Sequence, residues 1–126
     1  TIQDASLAPA DIQYVNAHGT STPKGDRTEI GCLREVFGKR LEQVPVSSNK
    51  SQLGHTLGAT AAIEAALTIE GMRQGIILPT INYFPDPEFA DVHVVPNTAR
   101  KQQYEISLSN AFGFGGTNCC VIFRGV

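Results

Sequence analysis

Two histidines in this chain share one local setting: a short apolar run, a glycine-rich turn, then a helical pattern. One is His18, in Asn16-Ala17-His18-Gly19-Thr20-Ser21-Thr22-Pro23-Lys24-Gly25-Asp26. The other is His55, in Ser47-Ser48-Asn49-Lys50-Ser51-Gln52-Leu53-Gly54-His55-Thr56-Leu57-Gly58-Ala59. Chains built from strand-to-helix units pack helices on a sheet, so the repeated arrangement points to an α/β fold. Glycine lets each turn bend sharply and lets a substrate approach the backbone. An imidazole at such a turn is placed to offer an N–H to developing negative charge.

The remaining elements follow from local signals. Asp11-Ile12-Gln13-Tyr14-Val15 alternates and reads as a strand. Thr22 as N-cap, Pro23 at the first helical position and Gly38 as a stop bound a helix from about Pro23 to Phe37. Asp26 with Glu29 resembles a capping box. Val44-Pro45-Val46-Ser47 reads as a short strand. Leu57 to about Met72, rich in alanine and apolar nearly all round, reads as a buried helix. Residues 1–10 read as a polar tail and 75–87 as irregular chain. Strands are expected at 92–95, 104–109 and 119–123, giving a mixed sheet with helices packed on it.

At 126 residues the chain is one domain, or part of one. It opens on Thr in mid-polar sequence, which suggests a piece of a longer protein. A net charge of −2 without long basic stretches argues against nucleic acid as the main ligand. No apolar run reaches the roughly 18 residues that span a membrane. Cys32, Cys119 and Cys120 form no disulfide framework, so a reducing, cytoplasmic setting fits. Cys119 and Cys120 adjoin in an expected strand and should point to opposite faces.

Several residues could carry chemistry. His18 sits beside Thr20, Ser21 and Thr22, a polar pocket rather than a core. His55 opens the alanine-rich helix, where the positive dipole end favours a neutral imidazole. Glu64 lies among alanines in a helix that reads as buried, so it needs a partner; Lys50 reaches it if the preceding loop folds over the helix start. Glu29 is placed to anchor a water near His18. Asn110-Ala111-Phe112-Gly113-Phe114-Gly115-Gly116-Thr117-Asn118 is not a dinucleotide loop: it lacks the final glycine and leads into a strand. One of its phenylalanines is expected in the core and the other at a pocket mouth. His93 reads as a solvent-facing strand residue. Metal-ligand spacings such as CxxC or HxxxH are absent from the sequence.

Together these motifs, with Leu78-Pro79-Thr80-Ile81-Asn82, resemble the β-ketoacyl-acyl-carrier-protein synthases of fatty-acid and polyketide synthesis, and most the elongating KAS II type. The resemblance runs from Asp11 to Phe123. It implies a thiolase-like fold, of which residues 1–126 would be the C-terminal domain, one half of an α-β-α-β-α sandwich. It implies an acyltransferase performing decarboxylative Claisen condensation. His18, His55 and Lys50 match the family's catalytic residues, and Glu64 and Glu29 its supporting acids. Thr20 and Thr22 match threonines that bind the pantetheine arm, and Phe114 a gating residue. The implied partners are acyl carrier protein, malonyl and acyl thioesters, an N-terminal half and a homodimer mate. No cofactor of its own is implied, since the phosphopantetheine arm arrives on the carrier. The nucleophilic cysteine of the family lies in the N-terminal half, so the isolated chain is expected to be inactive. Two small departures are Asn49-Lys50-Ser51 for Thr-Lys-Ser and Thr60-Ala61-Ala62 for Ala-Gly-Ala. The competing readings are a non-catalytic chain-length partner subunit or another thiolase-fold acyltransferase.

Overall fold

The computed structural model describes residues 1–125. Its main sheet has four strands: β1 (Tyr14–Asn16), β2 (Val46–Ser47), β5 (Ile106–Phe112) and β6 (Asn118–Arg124), in the order β2-β1-β5-β6. β1 runs parallel to both β2 and β5, while β6 returns antiparallel to β5. This is the mixed sheet expected. A second, two-stranded sheet pairs β3 (Ile76–Ile77) with β4 (Arg100–Lys101), within and beyond the stretch read as irregular. The expected strand at 92–95 is only a parallel bridge from Val94 to Val46 beside β2. Pro96 follows and has no N–H to continue a ladder.

One helix covers each face. α1 (Pro23–Phe37) has the bounds expected, ending at Gly38 with φ +54°. Asp26 and Glu29 do not form a capping box, because the helix has already begun at Pro23; the Asp26 carboxylate instead accepts from the Ser21 amide at 3.2 Å. Leu33 and Phe37 of α1 pack with Ile12, Val15, Val46 and Leu108 beneath it. Ile2 and Leu7 pack against that core, so residues 1–10 are not merely a polar tail.

The opposite face carries α3 (Thr60–Gln74), entered through a 3-10 turn at Leu57–Ala59. A short helix, α2 (Lys50–Leu53), stands before it where a loop was read. α3 is not buried all round. Thr60, Glu64, Thr68, Gly71 and Met72 are buried, whereas Ile63 and Ile69 are 38% and 42% exposed. The buried row recurs every three to four residues, one helical face, and its upper part is polar. Successive strand residues point to opposite faces. Thus Val15 joins the α1 core while Tyr14 packs with Met72, Ile77, Val95 and Tyr104 under α3.

Helix and sheet approach closely at Gly71. A Cβ there would lie 2.6 Å from the Ile76 carbonyl oxygen and 2.7 Å from the Tyr104 hydroxyl, which itself donates to the Thr68 carbonyl at 3.0 Å. Alanine improves helix propensity by about 1 kcal/mol, but overpacking against backbone costs about 1–3 kcal/mol. Gly71→Ala is therefore expected to lower the denaturant midpoint of the protein carrying this chain; an unchanged or raised midpoint would mean that the contact yields.

Candidate active site

The two histidine turns meet at the C-terminal edge of the parallel strands. His18 follows β1, Phe112 ends the neighbouring β5, and His55 follows α2. The imidazole centroids of His18 and His55 are 5.6 Å apart, nearly perpendicular at 87°, and the Phe112 ring stands 5.3 Å from His18. Both imidazoles border one cleft of about 1690 Å³, whose wall also carries Thr20, Thr22 and Phe114.

Backbone amides decide which ring nitrogen holds the proton. The Phe112 N–H donates to His18 Nδ1 at 3.3 Å, and the Leu57 N–H donates to His55 Nδ1 at 3.2 Å. An amide nitrogen only donates, so each Nδ1 is an acceptor and each neutral ring carries its single proton on Nε2. The pKa of His18 is held below the ordinary imidazole value, first by partial burial, then by the charge of Lys50, then by His55. The site therefore offers two Nε2–H donors from two converging elements.

The His18 turn is fastened from within by Glu29. This carboxylate is 3% exposed and accepts from the His18 amide (2.8 Å), the Gly19 amide (2.8 Å) and Asn110 Nδ2 (3.0 Å). Its work is thus to hold backbone. The Cys120 thiol donates to Asn110 Oδ1 at 2.6 Å, leaving the amide's N–H₂ end for Glu29. Burial raises the Cys120 pKa, which keeps that proton on sulfur. Gly19 has φ +39°, and a Cβ there would lie 2.7 Å from the Ser48 Cβ; Ser48 Oγ donates to the Gly19 carbonyl at 2.8 Å. The first histidine turn is in this way keyed into the second motif.

Lys50 and Glu64 form an ion pair at 2.7 Å, both side chains almost wholly buried at 4% and 2% exposure. Asn16 Nδ2 donates to the other Glu64 oxygen at 3.2 Å and to Ser109 Oγ at 2.9 Å. The loop does fold over the helix start, through α2. Thr20 and Thr22 bring their hydroxyl oxygens within 3.2 Å of each other on the cleft wall. Phe114 is 97% exposed in a turn with Gly115 and Gly116 at positive φ, while Phe112 is half-buried. His93 is also half-buried, held between Arg100 and the Gln43 carbonyl, and is not the solvent-facing strand residue expected. Cys119 is exposed on the opposite side of β6 from Cys120. Among the described residues no three His, Cys, Asp or Glu side chains gather as a metal cluster.

Sequence reading missed Asn16, Asn110 and the amides of Leu57 and Phe112. The two asparagines had a signal: a carboxamide within a strand that reads as buried needs partners in place. The amides had none, since any residue supplies one.

Residues 1–84 match the family model described as the C-terminal domain of β-ketoacyl synthase. The chain is 44% identical over 124 residues to 3-oxoacyl-[acyl-carrier-protein] synthase 2 of Staphylococcus aureus, covering 98% of this chain and 30% of that protein. Its fold superposes with a TM-score of 0.92 on a β-ketoacyl synthase from Burkholderia phymatum, at 45% identity, covering 99% of this chain and 30% of the other. It also superposes at 0.94 and 32% identity on the ishigamide ketosynthase/chain length factor, covering 100% of this chain and 31% of that one. The chain thus spans about a third of the length of the relatives it matches.

Two measurements test the site's electrostatics. Glu64→Gln leaves Lys50 buried without its counter-charge, an arrangement that costs about 3–5 kcal/mol. Lys50→Met with Glu64→Gln is expected to recover much of that loss; additive costs in the double-mutant cycle would mean that the two side chains do not interact. By NMR, His18 is expected to titrate below 6.5, the ordinary imidazole value. The unfolded chain then takes up a proton at a pH where the folded one does not, so this residue's contribution to stability falls as pH drops through and below 6.5. A midpoint at or above 6.5 would contradict the burial and the Lys50 charge.

Proposed function

The chain belongs to the β-ketoacyl synthase family, and from that premise we propose that it is the C-terminal catalytic domain of a 3-oxoacyl-acyl-carrier-protein synthase. The observation that carries this reading is the pair of imidazoles, each with Nδ1 accepting from a backbone amide, both lining one cleft.

In the proposed reaction the bond between the malonyl carboxylate and its methylene carbon breaks and carbon dioxide leaves. The electron pair moves onto the thioester oxygen as an enolate. His18 and His55 donate their Nε2–H groups to that oxygen, stabilising charge where it develops. The methylene carbon then bonds to the carbonyl carbon of an acyl chain already transferred to an enzyme thiol, and the C–S bond breaks to release that thiolate, so covalent catalysis divides the transfer into two steps. Lys50 places a positive charge near His18, and Glu64 prevents that charge from standing alone in the interior. Thr20 and Thr22 offer hydroxyls to the carrier's pantetheine arm along the cleft. Phe114, fully exposed on a glycine-flanked turn, gates entry.

The sulfur that carries the acyl chain comes, in this proposal, from the remainder of a longer protein. The Cys120 thiol is kept protonated by burial and is engaged with Asn110; Cys32 sits within α1 and Cys119 on the exposed side of β6. None has the activated setting a nucleophilic thiol needs. The uncovered alanine and isoleucine face of α3 is the surface on which an N-terminal half packs. A cytoplasmic homodimer served by acyl carrier protein completes the reading. A non-catalytic chain-length partner would have no use for two proton-bearing imidazoles over a charged pair, which favours the enzyme.

The test is carbon dioxide release from malonyl-carrier by the full-length protein. His18→Ala and His55→Ala are each expected to slow it by about 10²–10³-fold, the usual loss for one oxyanion donor. Release that continues at the parent rate in both variants would remove the assignment.

A further inference from the structure

Thr60 is 4% exposed and its hydroxyl lies 3.0 Å from His55 Nδ1. A second hydroxyl, that of Thr56, lies 3.0 Å from Thr60 Oγ1. The directions of these bonds follow from the Leu57 amide, which donates to the same Nδ1 at 3.2 Å. Nδ1 therefore carries no proton. If Thr60 turned a lone pair toward it, two acceptors would face each other. The Thr60 O–H must point at Nδ1, and its oxygen is then free to accept from Thr56. The chain runs in one direction: Thr56 donates to Thr60, and Thr60 donates to His55.

We propose that Thr60 is a positioning residue for His55, a second donor on Nδ1 that fixes both the tautomer and the tilt of the ring so that Nε2–H faces the cleft. The inference rests on the proposed oxyanion role of His55. One amide alone permits the ring to swing about its side-chain bonds. A second donor from the first residue of α3, a rigid helix, removes that freedom. The ring is then ordered before substrate arrives, which is where electrostatic preorganisation acts. Because Thr60 does not touch the substrate, its loss should lower kcat and leave KM in place.

The test uses the full-length protein with 15N-labelled histidine, alongside carbon dioxide release. Thr60→Ala keeps a strong helix former at the start of α3. It is expected to broaden or mix the His55 ring-nitrogen pattern, which in the parent is that of the Nε2–H tautomer. It should also lower kcat roughly three- to tenfold, the size of one modest hydrogen bond, at unchanged KM. Thr60→Ser, which retains the hydroxyl, should restore both. Thr56→Val, which only frees the Thr60 hydroxyl to rotate, should give a smaller loss of the same kind and serves if Thr60→Ala is unstable. A Ser variant as impaired as Ala would show that the methyl group matters instead, and overturn the proposal. So would a Thr60→Ala protein with the parent tautomer pattern and the parent rate. If the tautomer shifts as expected in a protein that releases no carbon dioxide, Thr60 keeps its part and the reaction proposed above fails.

Discussion

A carboxylate sealed inside the molecule, that of Glu29, holds the first histidine turn in place. Three donors converge on it, two of them consecutive amides of the His18 turn. Hydrogen bonds to an ionised acceptor are stronger than neutral ones, and in a low-dielectric setting they are costly to break. The turn is therefore set by side chains of α1 and β5 rather than by its own preferences. Asn110 is held in turn by Cys120, so the fastening reaches as far as the edge strand β6. The second histidine is secured independently, by the Leu57 amide and the threonines beside it.

On the α3 face of the sheet lies a polar layer. The Tyr14 hydroxyl meets Ser47 Oγ at 2.8 Å, Asn16 bridges Glu64 and Ser109, and Lys50 closes the Glu64 carboxylate. Burial pushes the Tyr14 hydroxyl's pKa well up, so it remains a neutral partner. A buried ion pair is a weak source of stability, because desolvation offsets the attraction. Its value here lies in putting one positive charge close to His18, where it opposes protonation of the ring. The cost of that layer is offset by the apolar cores on either side of it.

Local signals made some of this legible in the sequence. α1 was bounded by Pro23 and Gly38, each a strong local determinant. Glu64 among alanines announced a buried acid in need of a cation, and Lys50 lay only 14 residues away. Glu29 was different: it reads as half of a capping box, yet its partners lie 10, 11 and 81 residues distant. Only the sheet brings those together. α3 misled for a related reason. Its alanine-rich composition suits contact on every side, but within this chain one face alone meets the sheet, and that face is carried by Thr60, Glu64 and Thr68. The remainder is left largely exposed, Ile63 and Ile69 among it. The helical turn at Lys50–Leu53 was masked by serine and asparagine, which favour loops unless tertiary contacts decide otherwise.

The proposed chemistry needs two neutral rings that offer protons to one oxygen. A crystal structure of the full-length protein with a malonyl-amide mimic of the carrier arm examines this directly. The mimic's carbonyl oxygen is expected within about 3 Å of both His18 Nε2 and His55 Nε2. A carbonyl bound to only one ring, or lodged elsewhere in the cleft while both Nε2 atoms face solvent, would contradict it.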